Sequence, residues 1–494
     1  MSGELKKTIG HAGIYSIGVL LNRSVSFIML PIYTRYLTPE NYGVLELLEL
    51  TVDVVSIFTG LGILQGLFKF YYQFEKEKDK RHLISTIFIL VICFYFVSCA
   101  FGALFSDHVS RLIFNNSQFS NLVAISFLNL FLSFLIYTPL AYIRTIQKPV
   151  LFVIISSIKL ILQLSLNILL LVHLKMGVIG VLYSTTITSI ILGGFLSGYT
   201  FRNVGIFYSK KLAKRLIKFG YPFVFSGMGA FVLTYADRFF LNYYGQLSTV
   251  GIYALGYKFG FLLMTFPIRP IYNIWMVQRF ELIKQKNYED AFNAFFFWFI
   301  VIVTACVLFI SIASRDVIKI MAHESYWEAY KIVPIILLAY LFQACTDFFN
   351  FGIYHVEKTK HLAYGTGISA LAIIIVSFIL IPVYGIYGAA WATLICFLIR
   401  LLYIYFASQK VFKIKYNLKK PAAVLLLGSS IYLLYHGLAK WTTILDNILI
   451  SVATTITLMF IYLCLLLILQ IIKKDERYRI VEIIKHPKKL YSIT

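Results

Sequence analysis

Apolar runs of about twenty residues recur along almost the whole chain, from Gly13 to Lys473, and short polar stretches separate them. Twenty helical residues rise about 30 Å, the thickness of a bilayer's hydrocarbon core. The pattern predicts membrane-crossing helices at 13–34, 44–71, 83–105, 121–143, 150–172, 178–200, 219–243, 250–277, 291–312, 329–353, 363–382, 385–408, 421–440 and 447–472. The expected fold class is all-α and integral to the membrane, with about 14 transmembrane helices. No soluble domain of useful size fits between the runs.

Composition agrees with that solvent. Of 494 residues, 60% are hydrophobic and 14% charged, and the mean hydropathy is +0.80, too little polar surface to hydrate a globule of this size. A net charge of +23 would suggest a nucleic-acid partner in a soluble protein, so its placement decides its meaning. An even number of spans puts both termini on one side. Loops and tails on that side hold 31 Lys and Arg residues, against six on the other: Arg35, Arg111, Lys175, Arg315, Lys319 and Lys440. Positive loops stay inside, so the expectation is a multi-pass protein of the inner (cytoplasmic) membrane with both termini cytoplasmic and no nucleic-acid partner. The first run follows Lys6 and Lys7 but contains Asn22 and Arg23 and lacks a small-residue cleavage site, and it reads as a retained helix rather than a signal peptide. The six cysteines lie inside apolar runs without CxxC spacing and read as small packing residues, not as disulfides or metal ligands.

Landmarks recur at a fixed offset. Tyr42-Gly43-Val44 reappears 208 residues later as Val250-Gly251-Ile252, each near the start of a span. Gly177-Val-Ile-Gly180 with Thr185 reappears at the same offset as Gly385-Ile-Tyr-Gly388 with Thr393. A looser match sets Ile143 to Lys148 against Ile353 to Lys358. Each repeat holds six spans in the same orientation, so the reading is two parallel-repeat six-helix lobes plus two C-terminal helices. The boundaries are 1–205 for the N-terminal lobe, 206–412 for the C-terminal lobe, and 413–494 for the appended helices and basic tail. Parallel-repeat transporters bind their cargo between lobes.

The stretch Arg23-Ser-Val-Ser-Phe-Ile-Met-Leu-Pro31, followed by Thr34-Arg35-Tyr-Leu37-Thr-Pro39-Glu-Asn-Tyr42-Gly43, resembles the opening of Wzx-type oligosaccharide flippases. So does Ala236-Asp237-Arg238-Phe-Phe-Leu-Asn-Tyr-Tyr-Gly245 with Val250-Gly251-Ile-Tyr253-Ala-Leu-Gly-Tyr257-Lys258, which resembles the start of that family's second lobe. The family belongs to the MATE-like MOP superfamily, with the lipid II flippases and multidrug exporters. The resemblance implies a V-shaped, two-lobe transporter with a cationic cavity and alternating access. It also implies a cargo of undecaprenyl-diphosphate-linked oligosaccharide for O-antigen, capsule or exopolysaccharide, moved from the cytoplasmic to the periplasmic leaflet by a monomer without covalent chemistry or cofactor.

Ionisable groups in the bilayer core are costly and need a partner or a wet cavity. The intramembrane cations are Arg23, Lys69, Lys159, Arg238, Lys258, Arg269 and Arg400. Guanidinium groups bind phosphate through paired hydrogen bonds and lysines act as point charges. Arg23, Lys258 and Arg269 are therefore expected to hold the diphosphate, with Lys69, Lys159 and Arg400 behind them. Lys69 and Arg269 lie near span ends, where snorkelling to lipid phosphates is the competing role. For Arg238, a local ion pair with Asp237 or an interfacial anchor is expected. Glu46, Glu49 and Asp53, spaced by three and four, share a helix face, and with Asp347 they are candidates to couple transport to H+ or Na+. An Arg23–Asp53 ion pair is the structural alternative. Pro267 and Pro270 bracket Arg269 and suggest a hinge. Most of the abundant tyrosines read as interfacial belts, and a minority facing the cavity would stack on sugar rings.

No HExxH, Walker A or GxGxxG element occurs, so neither a metal centre nor ATP-driven transport by this chain alone is expected. Lipid II flipping and MATE-type export remain as alternatives, and the excess of intramembrane cations disfavours export of organic cations. A membrane polysaccharide polymerase is the remaining alternative, less consistent with loops this short. A separate polymerase is an expected partner.

Overall fold

In the computed structural model, which describes residues 27–441, 447–469 and 471, every described regular element is helical. The chain forms two compact units, Met1–Gly251 and Ile252–Thr494. The first predicted span lies mostly outside the described residues; its visible end is α1 (27–36).

In the first unit, α2 (Pro39–Gly60) begins where sequence dictates a helix start: the Thr38 hydroxyl accepts the Asn41 N–H at 3.2 Å, Pro39 opens the first turn, and Glu40 faces the helix dipole. The span expected at 44–71 is broken. Leu61 and Gly62 both adopt left-handed backbone angles (φ 43 and 58), and the chain bends by 48° into α3 (Ile63–Phe70). There follow α4 (Glu77–Leu104), the short α5 (Ser106–Phe114), α6 (Ser120–Thr145), α7 (Pro149–Asn167), α8 (Gly177–Val204) and α9 (Lys210–Tyr244). Interhelical polar contacts join them. Asn129 of α6 donates to the Leu182 carbonyl at 3.0 Å and accepts from Thr186 at 2.7 Å, and Ser184 of α8 donates to Asn167 of α7 at 2.7 Å. Such pairs hold apolar helices together where lipid competes equally for apolar surface.

α10 (Leu247–Leu263) runs through the unit boundary. In the second unit a π-helical segment, Met264–Ile268, follows it and carries Pro267, and α11 (Arg269–Leu282) continues past the expected end at 277. α12 (Tyr288–Met321), α13 (Val333–Phe349), α14 (Phe351–His355), α15 (Lys360–Val411), α16 (Lys419–Trp441) and α17 (Ile448–Ile468) complete the unit. The spans expected at 363–382 and 385–408 are continuous as α15, with one interruption at Gly385 (φ 53, ψ −125). A straight helix of 52 residues would rise about 78 Å, so this glycine divides it into two bilayer-length halves. Aromatic packing fills the core: Trp275 stacks on Phe348 with centroids 4.2 Å apart and meets Phe292 edge-on. Among the described residues eleven helices are long and apolar enough to cross a membrane, or twelve counting the bent α2–α3 pair as one span.

The repeated landmarks share backbone conformation. Gly177 and Gly385 both have positive φ (61 and 53). Gln147 and Glu357 both sit in the left-handed region (φ 56 and 58), and the turns around them close with matching bonds. Lys148 N–H donates to Ile143 O at 3.2 Å, as Lys358 N–H does to Ile353 O at 3.0 Å; Gln147 N–H donates to Arg144 O as Glu357 N–H does to Tyr354 O, both at 3.1 Å. The glycines of the first landmark meet each other. A Cβ on Gly43 would overlap the Leu247 carbonyl, and one on Gly251 would overlap the Pro39 carbonyl, a reciprocal contact across the same offset of 208.

Candidate functional site

Among the described residues, charged side chains cluster inside the membrane-spanning helices of both units, and two of these groups contain residues singled out by sequence. In the first, Asp237 and Arg238 on α9 are buried side by side, with 1% and 0% exposure. Arg238 Nη1 donates to Asp237 Oδ1 and to the Thr234 carbonyl, both at 2.7 Å, and its Nε lies 3.9 Å from Glu46 Oε1 on α2. The Tyr235 ring covers the guanidinium at 5.2 Å. The local pair expected for Arg238 is present, with Glu46 beside it. Of the acidic stripe on α2, Glu46 is buried against this arginine, while Glu49 and Asp53 are exposed.

The second cluster lies along one face of α13 and α14. Gln343, Asp347 and Asn350 recur at steps of four and three, spanning about 10 Å of helix. Gln343 Nε2 approaches both Asp347 carboxylate oxygens at 3.4 Å, and its Oε1 accepts from Arg400 Nη1 at 2.8 Å. Arg400 Nη2 reaches Thr366 at 3.3 Å. At the other end, Arg279 of α11 donates from Nη1 to Asn350 Oδ1 at 2.7 Å. Its guanidinium lies against Phe280, Phe351 and Tyr354, 5.0–5.7 Å from the ring centroids. Arg279 is fully buried, and its Nε and Nη2 have no hydrogen-bond partner among the described residues. Arg400, Arg269 and Arg279 all act electrostatically on Asp347. Arg400 and Arg279 thus bond to the amides on either side of Asp347, an arrangement that leaves the buried donors of Arg279 available to an anion.

The sequence placed Arg279 in a loop, and the structure corrects this: α11 runs five residues past the expected span end and carries Arg279 into the unit's interior. The signal available was the polar series Gln343, Asp347 and Asn350 in an otherwise apolar span, which requires polar partners on a facing helix. Arg269, Arg400 and Asp347, all singled out by sequence, come together here. Lys258 is half-buried on α10. Lys69 is exposed at the end of α3, its Nζ 4.2 Å above the Phe219 ring, and Lys159 lies 4.8 Å from the Tyr137 ring. Pro267 lies in the π-helical segment, and Pro270 is in the first turn of α11 beside Arg269. Arg23, and with it the alternative pair to Asp53, lies outside the described residues.

The fold has counterparts of known structure. "Lipid II flippase MurJ, inward closed conformation" superposes with a TM-score of 0.74 over 91% of this chain and 97% of that one, at 16% identity. An inward-facing multidrug resistance MATE transporter of the MOP superfamily gives 0.64 over 80% and 97%, at 11% identity. A MOP superfamily transporter from Pyrococcus furiosus, described as having a binding pocket of reversed polarity, gives 0.54 over 81% and 95%, at 14% identity. Among curated proteins none matches the chain by sequence. The family described as "Polysaccharide biosynthesis protein" matches residues 10–268, more than half of the chain. A multi-pass helical protein with the fold of the MOP-superfamily transporters, the chain belongs to the polysaccharide biosynthesis protein family.

Proposed function

We propose that the chain flips undecaprenyl-diphosphate-linked oligosaccharide repeat units from the cytoplasmic to the periplasmic leaflet of the inner membrane, for O-antigen, capsule or exopolysaccharide synthesis. The observation that carries this reading is the group of three arginines around Asp347, one of them fully buried with free donors, in a transporter fold of a polysaccharide family. A diphosphate satisfies such donors, and burial in low dielectric raises the worth of each contact. Arg23, Lys258 and Arg269 hold the diphosphate, with Lys69, Lys159 and Arg400 as secondary contacts, and Arg279 joins Arg269 and Arg400. The lobes, 1–205 and 206–412 with 413–494 appended, alternate access about the bound headgroup as a monomer. The π-helical break at Pro267 and the neighbouring Pro270 provide the bend. Asp53, Glu49, Glu46 and Asp347 couple the movement to H+ or Na+. The product meets a polysaccharide polymerase on the far side.

Complementation of a strain lacking its oligosaccharide flippase tests this. Wild type is expected to restore surface polysaccharide and clear accumulated lipid-linked repeat units, while Arg279→Ala and Lys258→Ala, expressed at wild-type level, leave them on the cytoplasmic leaflet. Failure of wild type to restore polysaccharide, with rescue of a lipid II flippase depletion instead, would establish the second reading, which the extent of the superposition with the lipid II flippase favours.

A further inference from the structure

The break in the second span borders a cavity of about 270 Å³ inside the first unit. Ending α2 at Gly60 leaves carbonyls without intrahelical partners, and beyond Gly62 the first N–H groups of α3 are in the same position. Irregular backbone at membrane depth persists only against protein or in a wet cavity. This backbone has both neighbours. The Leu61 carbonyl rests on Gly220 of α9, where a Cβ would overlap it, and Gly60 and Gly62 form part of the cavity wall.

The wall's chemistry is specific. Ser56, Gln65 and Thr138 provide neutral hydrogen-bonding groups, and Tyr95, Tyr137 and Phe223 provide rings. None of the lining residues carries a formal charge. Charges stand at its margins: Asp53 is one turn before Ser56, whose hydroxyl donates to the Asp53 carbonyl at 2.7 Å, and the Lys159 ammonium lies 4.8 Å from the Tyr137 ring. An acyl chain would leave the Gln65 amide without a hydrogen-bond partner. An organic cation would call for a carboxylate in the wall, and a phosphate for a cation. A pyranose ring suits the wall, because its C–H face lies on aromatic rings while its hydroxyls exchange hydrogen bonds with neutral side chains. The volume is below the roughly 300–1,000 Å³ of drug-sized sites, which matches one ring rather than an oligosaccharide.

We propose that this cavity is a subsite for one sugar ring of the lipid-linked cargo. The proposal rests on the flippase reading and deepens it. The test uses the full chain in lipid nanodiscs with two probes: undecaprenyl diphosphate, and undecaprenyl diphosphate bearing the oligosaccharide extracted from the protein's native cells. Wild type is expected to bind the glycosylated probe about tenfold more tightly, a difference of about 1.4 kcal/mol. Tyr137→Ala is expected to abolish that preference and keep the affinity for the bare lipid, while Tyr137→Phe retains most of it. Gln65→Ala, at a position exposed like that of Tyr137, provides the same comparison from a second lining residue. A preference undiminished in both Tyr137→Ala and Gln65→Ala, or a wild type that binds both probes equally, overturns the sugar subsite and leaves the flippase reading standing. Wild type binding neither probe overturns both.

Discussion

Arg238 and Arg279, both buried among apolar helices, meet the cost of burial differently. Arg238 has Asp237 at 2.7 Å and Glu46 at 3.9 Å, so its neighbours neutralise it. Removing a carboxylate from such a group strands a buried charge, which costs about 3–5 kcal/mol. Asp237→Asn is therefore expected to lower the thermal unfolding midpoint sharply and to reduce monodisperse yield in size-exclusion chromatography. Asp53→Asn, at an exposed position, should spare folding. If Asp53 couples transport, that variant changes its dependence on pH or sodium, and a series over both conditions that matches wild type would remove Asp53 from the mechanism. Arg279 has an amide and aromatic rings where Arg238 has carboxylates. Arg279→Lys keeps the charge but loses the planar fork, and a stability loss of about 2 kcal/mol is expected from the hydrogen bond and ring contacts together. Sequence offered the pair for Arg238, whose carboxylate is the preceding residue, but not the burial of Arg279, whose partners lie on other helices. Both stand near the ends of apolar runs, where a cation reads equally as a loop residue, an anchor or a buried group, and only the facing helix decides.

At the scale of elements, glycine is where the chain brings backbones into contact. Gly43 against Leu247, Gly251 against Pro39, and Gly220 against Leu61 each lack room for a methyl group. Alanine at any of them forces a backbone shift, with an expected cost of about 1–3 kcal/mol or more. Gly194, inside α8 with nothing within 4 Å of a built Cβ, is the control, and Gly194→Ala should be neutral or stabilise by up to about 1 kcal/mol. Unfolding midpoints of the purified variants order these four. Equal behaviour of Gly220→Ala and Gly194→Ala would contradict the close approach at the α2–α3 break. Hydropathy gave the existence of most spans and placed several ends to within a few residues, as at 421–440 for Lys419–Trp441. It passed over the break at Leu61–Gly62 and the π-helical segment at Met264–Ile268, because leucine, isoleucine and phenylalanine are equally apolar in a straight helix, a bend or a wider turn. Two of the recurring landmarks stood out because they hold glycines with a backbone requirement that composition does not mask, positive φ at Gly177 and Gly385 and close backbone contact at Gly43 and Gly251.

For the whole molecule, the charge distribution carries a claim about direction. A net charge of +23 on a chain this apolar is a topological signal rather than a binding one, because its loop cations are concentrated on alternate connections. Arg279 leaves the loop count once the structure buries it, and the asymmetry of 31 to six becomes 30 to six without changing sign. The connection between α3 and α4 is then expected on the cytoplasmic side, and the one between α5 and α6 on the opposite side. Glu75 and Gln118 are exposed residues in these two connections. With a membrane-impermeant maleimide on intact spheroplasts, Gln118→Cys is expected to react and Glu75→Cys to react only after permeabilisation, each read above the background of the native cysteines. The inverse pattern would reverse the orientation. Leaflet-to-leaflet transport is defined relative to this frame, so an inverted chain would deliver its cargo to the wrong side of the membrane.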